Sequence, residues 1–513
     1  MNAPTKPRVP WLLSWGRWAV YVLIFGLFVL KALYWLDPDF GWHLREGQDF
    51  LNGIWPTTDQ YNFNAADYSW AAHEWLSDIL MAGLFNFGGY ALVAVVWGLF
   101  FTAGFWFAGK GKFGPAVLAA FLACLTFIGV RTVVFAFLGL GFLMWFMNYT
   151  WKSDKLKLAL VLLIILLWSW LHGSFIIGII YLIFRAIFVD KSWRLAGAAL
   201  LGGLLTIIGP FGIELWREIL AIMADGNLMW HISEWQPGIN FWTITPLFML
   251  WFMNFALNPP ARLSRKNWRG WLYFARFDIA LFLTSVKSIR NYPLFALSAI
   301  DAAHGSLLKL YTTTRPFKAA RRLAMGLYIA LILGLAYVAG RVYVPIVADM
   351  IDKQNVVLAV SGDNGFPNLI VERLKSTPCD GNVFNHYNIG GYLIWQLPES
   401  KVYIDGRMGT TWARPSDSEL GEAGENYFAT WDLINNGERA ELSFSDVWFG
   451  PSDKDLYQYT EPAKLKQAEV FEKFNITCAI VRDDSKIYSY LQSQNWQTAV
   501  SDDNGWYLLT KAL

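Results

Sequence analysis

The chain reads as a polytopic α-helical membrane protein of about eleven transmembrane helices, with a large first outer loop and a C-terminal soluble α/β domain. Three observations predict this class. Of its 513 residues, 55% are hydrophobic and 17% aromatic, with a mean hydropathy of +0.32; that is too apolar for one soluble domain. Apolar runs approaching the roughly 20 residues that a lipid-spanning helix needs recur over the first two thirds. The formal charge of +2 conceals an asymmetry, since from Pro345 onward there are 24 Asp and Glu against 14 Lys and Arg. A basic membrane part and an acidic, hydrated tail follow, and this balance argues against a nucleic-acid partner.

The first apolar run covers 18–36. It is preceded by "MNAPTKPRVPWLLSWGRW", which has no small-residue cleavage site, so it reads as a retained span rather than a signal peptide. Further runs cover 90–109, 114–130, 132–148, 157–171, 174–189, 194–210, 241–257, 270–286, 291–303 and 323–344. With the N-terminus in the cytoplasm, one face collects Lys6, Lys110, Lys112, Lys152, Arg185, Arg265 and many more cations. The other face has only Arg45, Arg131, Arg217, Lys287 and Arg290 before the tail. The positive-inside bias then orients the chain in the cytoplasmic (inner) membrane, and an odd number of spans leaves the tail outside. The expected division is a membrane domain over 1–344 and an extracytoplasmic domain over 345–513.

The first outer loop, 37–89, carries eight carboxylates against Arg45 alone. Within it "LSDILMAGLFNFGGY" has apolar residues at helical spacing and predicts an interfacial helix before the second span. In the tail, "GNVFN", "YLIW", "KVYIDG" and "ITCAIVR" predict strands, "AKLKQAEVFEKF" and "SKIYSYLQSQ" helices, and "DDNG" a closing hairpin. Of the three cysteines, Cys124 belongs to an apolar run. Cys379 and Cys478 share the tail and can pair in an oxidising compartment.

Candidate chemistry concentrates in the loop. In "DPDFGWHLREGQDF", Asp37 suits a helix N-cap with Pro38 at the first helical position. Asp39, His43 and Glu46 would then follow at one-turn intervals. Asp39 is either a second carboxylate at the helix's positive end or a functional group at the mouth of the bundle, where ionisable side chains mark substrate and ion paths. "WAAHEWLSDIL" adds His73 and Glu74, either an ordinary helix start or part of the same cluster. Oxygen ligands with imidazole suit Mg²⁺ or Mn²⁺, with Asp39 and Glu74 as the candidate ligands, although no spacing here is diagnostic of a metal. Arg131, His172, Ser174, Glu234 and Arg290 stand at outer helix ends, where capping and snorkelling are the ordinary roles. Arg131, Lys287 and Arg290 are also suited to clamp a lipid-borne phosphate or pyrophosphate. In "YNIGGYLIWQLPESKVYIDGRMGTTW", Gly390 and Gly391 permit close backbone approach, and Asp405 and Arg407 form either a structural corner or part of a site.

The order of "DPDFGWHLREGQDFLNGIWPTTDQYNF", "HEWLSDIL", "RNYPLF", "GGYLIW" and "IDGR" resembles that of bacterial polytopic proteins of the C-type glycosyltransferase superfamily, which includes protein mannosyltransferases and oligosaccharyltransferase catalytic subunits. The resemblance implies an inverting sugar transferase whose donor is a polyprenyl-phosphate or pyrophosphate sugar and whose acceptor is a protein, lipid or glycan. It implies an essential acidic residue in the first outer loop, Asp39, or Asp37 if Asp37 is not a cap. "YNIGGYLIW", with Tyr392, stands where oligosaccharyltransferases carry an acceptor-reading motif, but the Trp-Trp-Asp-Tyr-Gly string itself is absent. In such a reaction Asp39 would be the base, helped by His43 or a cation, and Arg290 or Arg131 would face the phosphate. Trp42, Trp70, Trp75 and Trp235 lie in outer segments where ring faces could stack on sugar, although the ordinary role of such tryptophans is to anchor the chain at the membrane interface. Two other readings use the same acidic loop: a transporter of lipid-linked sugars, which would show inverted repeats and paired broken helices, and a non-catalytic assembly protein whose tail binds partners.

Overall fold

The computed structural model describes residues 11–64, 69–112, 114–224, 233–235, 241–258, 276–314, 318–362, 364–407, 438–439, 457–458 and 468–511. Nearly every predicted apolar run is a helix there. They begin with α1 (Trp11–Tyr34), followed by the short α2 (Phe40–Leu51), α3 (Trp75–Gly109), α4 (Gly114–Ala123), α5 (Val134–Asn148), α6 (Asp154–Leu171), α7 (Phe175–Phe184), α8 (Trp193–Leu205) and α9 (Glu214–Ala224). Helices Phe241–Leu257, Phe277–Lys287, Tyr292–Thr314 and Lys318–Asp352 complete the helical part. The predicted run 270–286 begins outside the described residues.

Segments Trp75–Gly109 and Met325–Asp352 are long and apolar enough to cross a membrane by themselves, and shorter apolar helices such as Val134–Asn148 and Thr243–Leu257 accompany them. Exposed Val22, Leu99, Phe252 and Leu333 lie on these helices. Apolar surface of that extent is stable in lipid and not in water. Non-helical backbone at Gly88 and Gly89 (φ 66°) kinks α3 and divides it into 75–87 and 90–109. This matches the division between the predicted interfacial helix and second span.

In the tail, β1 (Asn382–Asn385), β4 (Ile476–Arg482), β5 (Trp496–Ser501) and β6 (Trp506–Lys511) form one sheet in the order β1-β4-β6-β5, while β2 (Glu438–Arg439) and β3 (Tyr457–Gln458) pair separately. β1 runs parallel to β4 and the other neighbours are antiparallel, the last two as the hairpin around "DDNG". Phe384, Tyr403, Ile404, Ala479, Leu491 and Leu509 are the centre of its core. Cys379 and Cys478 are joined in a disulfide, and Cys124 is buried and free.

Two strand expectations need correction. "YLIW" lies within the helix Tyr387–Gln396, since a four-residue apolar run has no period that separates strand from helix. That helix crosses α2 at backbone contact: a Cβ on Gly41 would stand 2.0 Å from the carbonyl oxygen of Gly391. "KVYIDG" joins no sheet. Val402 instead bridges in parallel to Asn62 of the first loop, with its N–H donating to the Tyr61 carbonyl (2.8 Å). The predicted helix "AKLKQAEVFEKF" lies partly outside the described residues, whereas "SKIYSYLQSQ" contains the helix Lys486–Ser493.

Candidate functional site

A cavity of about 530 Å³ opens where the first loop, the segment between α4 and α5, the turn Ser233–Trp235 and the tail converge. That volume lies in the range of sites that bury a small-molecule ligand. Of the candidate residues, Asp37, Asp39, His43, His73, Glu74, Arg131, His172, Glu234, Arg290 and Arg407 line it. Tyr392 and Asp405 are not part of its wall. The Tyr392 hydroxyl donates to Asn368, and Asp405 is fully buried against Arg407.

Asp37 does not cap a helix that starts at Pro38. α2 begins at Phe40, with Asp39 at the cap position and no side-chain cap bond. The carboxylate of Asp37 instead accepts the Asp39 N–H (3.0 Å), a local turn that competes with the helix start. It fixes Asp39 ahead of α2, with its carboxylate in the cavity.

Asp39 is held from three sides. Trp42 Nε1 donates to Oδ1 (3.2 Å), the Arg131 guanidinium lies 2.8 Å from Oδ2, and the backbone of Gly406 closes over it. Arg131 also lies 3.6 Å from Asp37 and donates to Glu234. Burial pushes the Asp37 carboxyl up to about 7 against the pull of Arg131, and burial likewise raises Asp39 above the usual carboxylate range despite the same guanidinium. Arg290 sits 3.9 Å from Glu234, with its guanidinium over the Trp235 ring.

A second cluster surrounds Glu74. The Thr132 hydroxyl donates to Oε2 (2.6 Å), while His172 Nε2 (3.2 Å) and His73 Nε2 (3.5 Å) face Oε1. His172 Nδ1 accepts the Ser174 N–H (3.0 Å), so in a neutral ring the proton is on Nε2 and points at Glu74. Burial opposes the Glu74 charge, but the imidazoles of His172 and His73 outweigh it and hold the carboxyl well below its usual value. Burial holds His172 down at about 4 and His43 at about 3, so both are neutral at pH 7. His43 Nδ1 is 2.7 Å from Asp78, which steadies the ring.

At the cavity wall, the buried Arg407 binds Asp405 (2.9 Å), Asp59 (3.2 Å) and Asn62 (2.8 Å), and lies over the rings of Tyr61 and Trp70. Glu46, one turn beyond His43, turns to this network, accepting from Trp70 Nε1 (2.6 Å). Burial pushes the Glu46 carboxyl up to about 8, against the pull of Arg407. The tail is thereby fixed onto the first loop.

Trp42, Trp70 and Trp235 line the cavity; Trp75 instead packs on Trp55 and Trp170. Lys31, Thr132 and Tyr387 line it too and escaped the sequence reading. Thr132 directly follows Arg131, which was the available signal, and Lys31 sits inside the first apolar run where a lone charge reads as a snorkelling residue. Among the described residues, no group of three or more His, Cys, Asp or Glu side chains is arranged to hold a metal ion.

No protein-family model matches the chain, and no curated protein matches it in sequence. Solved structures do match. The archaeal oligosaccharyltransferase AglB from Archaeoglobus fulgidus, in complex with an inhibitory peptide and a dolichol-phosphate, aligns at TM-score 0.53 and 12% identity over 92% of this chain and 70% of its own. The arabinofuranosyltransferase AftD from Mycobacteria aligns at TM-score 0.51 and 13% identity over 97% of this chain, which spans 40% of AftD. ArnT from Cupriavidus metallidurans in the apo state gives TM-score 0.45 and 15% identity over 97% of both chains. The chain has the C-type glycosyltransferase fold of polytopic membrane proteins.

Proposed function

We propose that this protein is an inverting membrane glycosyltransferase that moves a sugar from a polyprenyl-phosphate or pyrophosphate carrier to an acceptor hydroxyl, with Asp39 as general base. One observation carries the reading: Asp39, its carboxyl raised by burial, stands beside Arg131 in a 530 Å³ cavity of a fold shared with such enzymes. The acceptor O–H gives its proton to the Asp39 carboxylate and its oxygen attacks the anomeric carbon. The bond from that carbon to the phosphate oxygen breaks with its electron pair on the phosphate. A single displacement inverts the anomeric centre. Arg290 and Arg131 are the cations suited to stabilise the departing phosphate, and the rings of Trp42 and Trp235 are suited to stack on the sugar.

Glu74, fixed by Thr132 and the neutral His172, is suited to hold sugar hydroxyls; if Asp39 is dispensable, it is the next base to test. The charge bias of the connecting segments supports a cytoplasmic N-terminus and an outer-face site. The Cys379–Cys478 disulfide, a bond characteristic of oxidising compartments, supports an extracytoplasmic tail. AglB binds a dolichol-phosphate and a peptide, which supports a lipid-linked donor and admits a protein acceptor here.

The test is transfer by purified protein in nanodiscs, with polyprenyl-linked sugars extracted from the source cells. Asp39→Asn should abolish transfer while expression and melting temperature are kept. Full transfer by that variant would remove Asp39 from the mechanism.

A further inference from the structure

Three of the four carboxylates that line the cavity come from two separate parts of the chain: Asp37 and Asp39 precede α2, and Glu234 belongs to the turn Ser233–Trp235. Carboxylates converging from separate segments are the usual donor set for a hard divalent cation, which needs six or more oxygen ligands. Here a guanidinium stands between them. Arg131 reaches Asp39 Oδ2 at 2.8 Å and Asp37 Oδ1 at 3.6 Å, and donates to Glu234 Oε1.

Two of the three oxygens that do not face Arg131, Asp39 Oδ1 and Glu234 Oε2, are directed elsewhere. Asp39 Oδ1 accepts from Trp42, Asp37 Oδ1 also accepts the Asp39 N–H, and Glu234 Oε2 faces Arg290. The backbone of Arg131 is pinned as well, its carbonyl accepting from Trp97 Nε1 (3.0 Å). In the second cluster the ring nitrogens of His172 contact the Ser174 N–H and Glu74, and His43 Nδ1 contacts Asp78; among the described residues no group of three or more His, Cys, Asp or Glu side chains there is arranged to hold a metal ion.

We propose that the Arg131 guanidinium takes the position that Mg²⁺ or Mn²⁺ would occupy among Asp37, Asp39 and Glu234, so that this cavity handles its anionic donor without a metal ion. A guanidinium suits the task because it stays charged at every physiological pH and directs five N–H donors in a fixed fork. It neutralises the carboxylates around it and leaves N–H groups for a phosphate oxygen. The consequence for catalysis rests on the glycosyl-transfer reading; the consequence for metal binding does not.

The experiment therefore titrates Mn²⁺ into the full-length protein in nanodiscs and follows free Mn²⁺ by electron paramagnetic resonance, with no donor present. Wild type and Asp39→Asn should take up the same amount of Mn²⁺. Arg131→Met, which vacates the centre of the three carboxylates, should gain one Mn²⁺ site that the double variant Arg131→Met/Asp39→Asn loses. Arg131→Lys, still cationic, should gain none. A wild-type Mn²⁺ site that Asp39→Asn removes overturns the proposal, as does a folded Arg131→Met protein that gains no site. Transfer by the wild type should persist in EDTA. Absence of any transfer would defeat the glycosyltransferase reading and leave the Mn²⁺ result standing by itself.

Discussion

The backbone of Gly406 lies against the carboxylate of Asp39: a Cβ built on Gly406 would stand 1.9 Å from Asp39 Oδ1 and 3.2 Å from the indole nitrogen of Trp42. A loop of the tail, more than 350 residues along the chain from Asp39, thus forms one wall around the candidate base. Gly406→Ala should displace that carboxylate and lower transfer about 10²-fold, the scale for a misplacement of about 1 Å. Melting temperature should change little, and a kinetic assay beside thermal unfolding separates the two. An unchanged rate would show that the tail does not set the position of Asp39.

Arg407 is the only cation directly bonded to Asp59 and Asp405 among the described residues. Arg407→Met removes the counter-charge from buried carboxylates and should cost about 3–5 kcal/mol of stability. Arg407→Lys should recover little, because an ammonium lacks the planar fork that reaches Asp405, Asp59 and Asn62 together. Thermal unfolding in detergent measures both. Equal melting temperatures for wild type and Arg407→Met would reject this network as the link between loop and tail.

A general base must be deprotonated to act. Burial raises Asp39 above the usual carboxylate value, so kcat/KM should climb with pH through a limb lying above about 4. The neighbouring Glu234 carboxylate adds to that raise. Glu234→Gln removes its charge and should move the limb to lower pH. A pH–rate profile of the two proteins decides the matter, and a limb that does not move in the variant would uncouple Glu234 from Asp39.

His172, held at about 4 when folded, returns to about 6.5 when the chain unfolds. Between these values the unfolded chain binds a proton that the folded one does not, so this group makes stability fall as pH drops through about 6.5 toward 4. The raised carboxyls of Asp37 and Glu46 act in the opposite sense, since the folded form is then the one that holds more protons. The difference between wild type and His172→Gln isolates the histidine. The variant should lose less melting temperature between pH 7 and pH 5, and equal losses would contradict a buried neutral imidazole.

The Cys379–Cys478 bond closes a loop with a sequence separation of 99. In the chain-entropy account a loop of that size is worth about 4–5 kcal/mol. Reduction, or the Cys379→Ser/Cys478→Ser variant, should lower the unfolding temperature of the tail markedly. Unaltered melting under reductant, with free thiols confirmed by alkylation, would count against the bond's contribution.

Much of the helical part was legible in the sequence because a lipid-facing helix must be apolar along its length; the run 241–257 and the helix Phe241–Leu257 have the same limits. The candidate site was legible in a different way. Cations on outer segments are scarce, so Arg131 and Arg290 stood out, while Asp39 and Glu74 belong to the acidic first loop; the structure brings these and Glu234 into one cavity. Short segments were less readable. "YLIW" suits strand or helix equally; in the structure it lies in a helix capped by His386 and packed at Gly391 against α2. The Asp37-Pro38 pair suits a helix start, yet the Asp37 carboxylate bonds the Asp39 N–H and moves the start to Phe40.

The sequence by itself determined that this is a helical membrane chain with an acidic first loop and a small α/β tail. Backbone N–H and C=O groups cannot go unbonded in lipid, so long apolar runs have one stable form. Only the tertiary structure decided the partnerships: Arg131 between Asp37, Asp39 and Glu234, and Arg407 between Asp59 and Asp405. Charge pairing depends on ångström distances between residues that lie 2 to 348 positions apart in the chain, and desolvation changes each carboxyl according to its burial. Neither quantity exists until the chain has folded.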